Sequence, residues 1–142
     1  MIEKPKKNKK QTVAYWSKKA DRKLQEICRI MYEDDGCLLC GGEYCCGHHV
    51  IPKSRSTHLR YNLKNIIPIC VKCHNNIHSK AEANKVYRLM ELVIKIKGKE
   101  WFENLEAEEK AHRYINAGYT YYRDKHEKLC LLTPYKTKNL LK

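Results

Sequence analysis

Two C-x-x-C motifs, about thirty residues apart, constrain the fold of this chain more than any other sequence feature. They read CLLC and CVKC, and their thiols belong to Cys37, Cys40, Cys70 and Cys73. Four thiolates in two such pairs are typical of a tetrahedral zinc site, because zinc accepts all-sulfur coordination. An all-thiolate site has no open coordination position, so we predict a structural zinc ion that ties two distant segments together. The alternative, four buried free thiols, does not explain the paired spacing.

The cysteines are expected to be reduced, because the sequence predicts a cytoplasmic location. No apolar run of signal-peptide length follows the basic N-terminus, MIEKPKKNKK. No later stretch approaches the roughly 18 apolar residues of a membrane span. We therefore expect a cytoplasmic protein without a membrane partner, in which the cysteines are metal ligands or buried thiols rather than disulfides.

The charge balance favours a polyanionic partner. The chain carries 29 Lys and Arg against 16 Asp and Glu, a formal net charge of +13. Such an excess, together with the motifs described below, predicts nucleic acid as the partner, although a merely soluble basic protein would show the same charge. Residues 1–12 are Lys-rich and are predicted to be a flexible basic arm, either solubilising or in non-specific contact with phosphates.

Apolar periodicity predicts helices on both sides of a central segment that lacks it. Leu24, Ile27, Cys28 and Met31 recur at helical spacing. The segment from residue 37 to 78 is instead rich in Cys, His, Gly and Asn, which is typical of a centre organised by metal. A second helical stripe, broken by Gly98, and a third helix follow. The stripe comprises Val86, Leu89, Met90, Val93 and Ile94, and the third helix packs through Trp101, Phe102 and Leu105.

Four histidines and one asparagine form the candidate reactive set. His48 and His49 are adjacent, and neighbouring residues on a strand point to opposite faces. One imidazole could therefore hold a metal ion while the other moves a proton. His74 and His78 lie four residues apart, share a helix face, and could bind one ion together. Asn65 precedes an apolar stretch that predicts a short buried strand.

The segments HHVIPKSR, the Asn65 position and CVKCHNNIH together resemble the His-Asn-His endonucleases with the ββα-metal fold, over about residues 37–79. This resemblance implies cleavage of phosphodiester bonds with a divalent ion. It implies that His48, His74 and His78 are metal ligands and that His49 is the general base. It also implies that Asn65 braces the loop that presents His49.

A narrower similarity extends over the leading helix, STHLRYNLKN and the helices after the motif. These segments are similar to the NinG/Rap phage recombination endonucleases. That similarity implies action on branched recombination intermediates, in the cytoplasm of a bacterial or phage-infected host cell.

The predicted fold is α+β, with a small ββα-metal centre clamped by the four-cysteine zinc site and flanked by N- and C-terminal helices. One nuclease domain is expected over residues 13–117, followed by a tail over 118–142 for which no structure is predicted. The two helices after the motif could form a homodimer.

The predicted function is that of a metal-dependent DNA endonuclease leaving 5′-phosphate and 3′-hydroxyl ends. The catalytic ion is expected to be Mg²⁺ or Mn²⁺, with Zn²⁺ or Ni²⁺ as alternatives because the ligands are all imidazoles. Lys53, Arg55 and Arg60 are predicted to contact DNA, with Arg55 near the scissile phosphate. Two alternatives stay open: a zinc-stabilised nucleic-acid-binding module without catalysis, and a structural protein whose histidines complete a second zinc site.

Overall fold

Five helices and a two-stranded sheet make up the described part of the chain, as the α+β prediction requires. The computed structural model describes the backbone of residues 8–79 and 83–132, and the side chains of these residues other than 83–87. The helices are α1 (Val13–Tyr32), α2 (Val71–Ile77), α3 (Ala83–Lys97), α4 (Lys99–Ala111) and α5 (Tyr119–Leu131). The strands are β1 (Cys46–His49) and β2 (Ile66–Ile69).

Helix α1 follows the predicted amphipathic pattern. The Thr12 hydroxyl accepts a hydrogen bond from the backbone N–H of Tyr15 at 3.2 Å, which caps the first turn. The four periodic residues named above are all buried in one apolar cluster. The helix ends at Tyr32, and Gly36 takes a positive φ of 74° in the turn that follows.

Strands β1 and β2 form an antiparallel hairpin in which His48 pairs with Ile67 and His49 with Ile66. Helix α1 packs directly on β1 at Gly47. A Cβ atom at Gly47 would lie 2.7 Å from Ile66 Cγ2 and 2.8 Å from Cys28 Sγ, so only glycine allows this approach.

Helix α2 begins immediately after β2, which places it beside the hairpin. Cys70 is its N-cap residue, and the Cys70 thiol accepts a hydrogen bond from the backbone N–H of Cys73. His78 is the C-cap residue. The predicted ββα unit is thus present, and α2 with its two cap residues carries two of the candidate cysteine ligands and two of the candidate histidine ligands.

Helices α3 and α4 cover the other side of the hairpin. Gly98, with φ of 99°, separates them as predicted. Val93 is fully buried, and Leu105 packs with Ile51 and Leu59 of the long loop between the strands. The Trp101 indole donates to the carbonyl of Lys64 at 3.1 Å. The side chain of Val86, part of the predicted stripe, lies outside the described residues.

The segment after Gly118 forms helix α5, for which the sequence made no prediction. Tyr122 and Leu129 are buried against α1. Residues 133–142 of the predicted tail and 1–7 of the predicted arm lie outside the described ranges. The remainder of that arm includes a single 3₁₀ turn, Lys9–Gln11. No described helix has the length and apolar character needed to cross a membrane.

Candidate metal centres

The four predicted thiols converge on one point. The Sγ atoms of Cys37, Cys40, Cys70 and Cys73 all lie within 4.8 Å of one another. The first pair sits in a tight turn, where the Cys37 N–H donates to the carbonyl of Gly42 at 2.7 Å. Gly41, with φ of 70°, allows the chain to reverse directly after Cys40.

The chemistry of this set fits zinc. The hydrogen bond from the Cys73 N–H to the Cys70 thiol lowers the pKa of Cys70 to about 7, whereas burial and the neighbouring thiols raise the pKa of Cys73. Cys37 and Cys73 are buried in the apolar cluster that also contains Ile67 and Ile69. The four cysteines could therefore hold a metal ion such as zinc, joining the turn before β1 to the start of α2.

A second convergence involves three of the predicted imidazoles. One ring nitrogen from each of His48, His74 and His78 lies within 4.8 Å of the others. The ring centroids are 5.6 Å apart for His48 and His74, 5.2 Å for His48 and His78, and 4.7 Å for His74 and His78. Strand β1 supplies the first ring and helix α2 the other two, so the hairpin and its following helix build the cluster together.

These rings open onto a cavity of about 750 Å³, which His49 and Lys53 also line. Among the described residues that line this cavity there is no Asp or Glu. Burial, with the neighbouring His78, His74 and His49 rings, lowers the pKa of His48 to about 4. Burial and the nearby His78 also lower the pKa of His74. Neutral imidazoles are the form that binds metal, so the set is suited to a cation.

His49 lies beside this cluster and is held differently. Its Nε2 atom is 2.7 Å from the carbonyl oxygen of Arg60. A carbonyl only accepts, so Nε2 must carry the hydrogen and the lone pair must be on Nδ1. Burial lowers the pKa of His49, which keeps the ring neutral near pH 7. The two adjacent histidines therefore have different partners, one in the ring cluster and one on a backbone carbonyl.

Asn65 is fully buried and ties the long loop to the hairpin. Its Oδ1 accepts from the Ile51 N–H at 2.7 Å, and its Nδ2 donates to the carbonyls of Ile51 and Leu59 at 2.9 and 3.2 Å. Asn65 thus fixes both ends of the segment that follows His49. These hydrogen bonds anchor the loop after His49, and the role of Asn65 in presenting His49 for catalysis stays a prediction.

The three loop cations are each paired within the chain. Arg60 donates to both carboxylate oxygens of Asp21 on α1, at 3.0 and 2.6 Å. Lys53 lies 3.5 Å from the same carboxylate. Arg55 reaches Glu109 on α4 at 3.3 Å. Of the three, Lys53 alone lines the histidine cavity, and the predicted DNA contacts of all three stay predictions.

The remaining histidine of the loop is outside the cluster. His58 lies 2.8 Å from the carboxylate of Glu108 and stacks on His112 with centroids 3.9 Å apart.

Sequence reasoning missed two residues of α1 that position the site. Gln25 donates to the carbonyl of Gly47 and accepts from the Gly47 N–H, both at 2.9 Å. Asp21 neutralises Arg60, as described above. An isolated acidic residue in the basic segment SKKADRK was the available signal for Asp21.

The fold and the cysteine cluster define a small α+β protein whose ββα unit carries a site that could hold a metal such as zinc. The family model described as NinG, Bacteriophage Lambda NinG protein, matches residues 2–133. The chain therefore belongs to the NinG family, which agrees with the predicted phage origin. No curated protein and no solved structure matches the chain.

Proposed function

We propose that this protein is a metal-dependent DNA endonuclease of the His-Asn-His type. The observation that carries the proposal is the geometry around β1: three imidazoles converge on one cavity, and a fourth, His49, lines the same cavity with an acceptor nitrogen free. A protein that only binds nucleic acid needs the thiols and the positive charge. It does not need a proton acceptor beside a three-ligand site.

His48, His74 and His78 are the residues that would hold the catalytic ion. When bound there, a divalent ion supplies Lewis-acid stabilisation of negative charge on a phosphate. Three nitrogen ligands suit Mn²⁺, Ni²⁺ or Zn²⁺ better than Mg²⁺, which prefers oxygen. Three protein ligands also leave room for substrate, unlike the four thiols of the other cluster.

His49 acts as the general base. Its Nδ1 atom takes a proton from water while the water oxygen bonds to phosphorus, and the bond from phosphorus to the 3′ oxygen breaks. The 3′ oxygen takes a proton from solvent, which gives a 5′ phosphate and a 3′ hydroxyl. The carbonyl of Arg60 holds the His49 ring in the required tautomer. Asn65 anchors the loop that contains Arg60, through its hydrogen bond to the carbonyl of Leu59.

The proposed substrate is DNA. The net charge of +13 supports a polyanionic partner, and membership of the NinG family supports branched recombination intermediates. Homodimer formation through the later helices stays a prediction. A zinc-stabilised binding module without catalysis is the second candidate, because the thiol cluster and the charge alone are sufficient for it.

Plasmid nicking tests the proposal. Zinc-loaded wild-type protein is incubated with supercoiled plasmid and Mg²⁺, Mn²⁺, Ni²⁺ or Zn²⁺, and the product ends are analysed. We expect metal-dependent nicking and 5′-phosphate ends. The variant His78→Ala should lose nicking without unfolding, because His78 is exposed. The matched control, His112→Ala, removes an exposed histidine outside the cluster and should nick normally.

Two results contradict the endonuclease proposal. One is the absence of nicking and of branched-substrate cleavage under every metal, with DNA binding intact; this result favours the binding module. The other is equal nicking by wild type and His78→Ala, which shows that cleavage does not use this cluster.

A further inference from the structure

Three exposed cations on α1 have no partner among the described residues. They are Lys18, Arg22 and Arg29, and their side chains make no hydrogen bond or ion pair within the described ranges. Other cations of the same helix are engaged: Lys23 pairs with Glu26 at 3.2 Å, and Lys19 lies over the Trp16 ring at 5.1 Å. The three unpaired charges are therefore a distinct surface, the α1 strip.

The α1 strip is on the helix face that adjoins the histidine cavity. Its members are three, four and seven residues from Gln25, spacings that place side chains on one helix face. Gln25 itself lines the cavity. At 1.5 Å per residue the strip is about 16 Å long, enough to follow several phosphates of a duplex.

The strip is held in fixed relation to the metal ligands. The side-chain amide of Gln25 makes two hydrogen bonds to the backbone of Gly47, the residue before His48. The absent Cβ at Gly47 lets α1 approach β1 closely. A phosphate backbone bound to α1 would consequently lie at a fixed distance from the cavity, because α1 packs directly on β1.

The loop cations are less suited to this task. Arg60 is a bidentate partner of Asp21, and Arg55 is shared with the buried carboxylate of Glu109. Releasing them to bind phosphate would leave Asp21 and Glu109 without their partners, which costs free energy. Unpaired exposed cations carry no such penalty.

We infer that the α1 strip binds the sugar-phosphate backbone of duplex DNA and positions it over the histidine cavity. This inference rests on the proposed endonuclease function and names the surface that presents the substrate. Phosphate contacts of this kind carry no base specificity, so the strip would guide DNA of any sequence.

The test measures binding of a labelled 20-base-pair duplex by fluorescence anisotropy at several salt concentrations, with no divalent ion added. The variant Lys18→Ala/Arg22→Ala/Arg29→Ala should lower the slope of log affinity against log salt by about 3, since each lost phosphate contact removes about 0.9. Affinity near 0.1 M salt should fall on the order of a hundredfold.

Two control variants separate the strip from net charge. Lys95→Ala/Lys110→Ala/Lys128→Ala removes three exposed cations elsewhere and should lower the slope by less than about 1. Lys18→Arg/Arg22→Lys/Arg29→Lys keeps the charges and should bind as wild type does. Circular dichroism confirms folding; if the triple alanine variant is unfolded, the three single alanine variants should each lower the slope by about 0.9.

Equal slope losses in the strip variant and the distant variant would overturn the inference, as would a wild type that does not bind duplex DNA. The anisotropy assay measures DNA binding without cleavage. The proposed DNA-binding surface and the proposed endonuclease activity can therefore be contradicted independently of each other. A lowered slope in a protein that never nicks supports the strip and contradicts the endonuclease. A nicking protein whose strip variant keeps its full slope contradicts the strip alone.

Discussion

The two candidate metal-ligand clusters of this protein are neighbours, and helix α2 contributes residues to both. Cys73 and His74 are adjacent on α2, yet one faces the thiol cluster and the other the ring cluster. Three of the four thiols lie in an apolar cluster, and the four could provide four protein ligands, whereas the rings could provide three and face a cavity of about 750 Å³. Ligand number and surroundings, rather than position in the chain, therefore separate a site suited to folding from a site suited to chemistry.

The difference also explains which residues surround each cluster. Backbone groups and apolar side chains surround the thiols, which suits a metal that contributes folding energy. The neutral ring of His49 and the cation of Lys53 line the cavity that the three rings face. Damage at the first cluster should therefore appear as loss of structure, and damage at the second as loss of activity.

The largest effect is expected for Cys73→Ser. Structural zinc contributes about 10–16 kcal/mol in small zinc-dependent domains, which equals or exceeds the stability of most domains. We expect the variant to lose its bound zinc and its cooperative thermal transition. Zinc analysis and a circular-dichroism melt measure both. Cys45→Ser, which removes an exposed thiol outside the cluster, is the control and should match wild type. A Cys73→Ser melt equal to wild type would show that the cluster is not structural.

The next largest effect is expected for His49→Ala, and it should leave the fold intact. Removing the proton acceptor should slow cleavage about 10²–10⁴-fold with little change in metal affinity. Single-turnover cleavage at saturating Mn²⁺ measures the rate. The control is His58→Ala, which lies on the loop but bonds to Glu108 instead. Unchanged cleavage by His49→Ala would remove His49 from the chemistry.

An intermediate effect is expected for Asn65→Ala, which should affect both stability and rate. The substitution leaves the Ile51 N–H buried without its partner, and the free energy of unfolding should fall by about 3 kcal/mol. Cleavage should also slow, because the loop after His49 loses its anchor. Urea denaturation gives the stability. Asn75→Ala on the exposed side of α2 should change it by less than about 0.5 kcal/mol. Equal effects of both variants would contradict the bracing role.

The smallest effect is expected for Gln25→Ala. Losing its two hydrogen bonds to Gly47 should lower the free energy of unfolding by about 1 kcal/mol, because both groups are only partly buried. The cleavage rate should fall by more than the loss of folded protein explains. Gln25 holds β1 in place, and β1 carries His48. Glu26→Ala removes a surface pair and is the matched control on the same helix. A loss of stability with no change in cleavage would limit Gln25 to a structural role.

Much of this architecture could be predicted from local patterns. Paired cysteines, helical periodicity around Leu24, and the apolar stretch after Asn65 each depend on neighbours in sequence. Consequently the cysteine cluster, α1, the hairpin and α2 were all predicted correctly. The convergence of His48 with His74 and His78 was predicted through a family resemblance, because spacing alone does not bring β1 onto α2.

The rest depends on contacts between distant segments. Arg60 is a good phosphate ligand by residue type. In the fold, however, its guanidinium pairs with Asp21, which lies thirty-nine positions earlier in the chain. Helix α5 has a weak apolar pattern, and its order comes from Tyr122 and Leu129 packing on α1. Gln25 belongs to no recognisable sequence motif. Its role becomes visible only in the fold, where it makes hydrogen bonds to the backbone of Gly47.

Calorimetric titration of Mn²⁺ into zinc-loaded protein shows whether the three imidazoles form an open metal site distinct from the thiol site. We expect wild type to bind one Mn²⁺ per chain. We expect His74→Ala to bind Mn²⁺ more than about a hundredfold more weakly, with the zinc content and thermal melt unchanged. Undiminished Mn²⁺ binding by His74→Ala, or no binding by wild type, would contradict such a site.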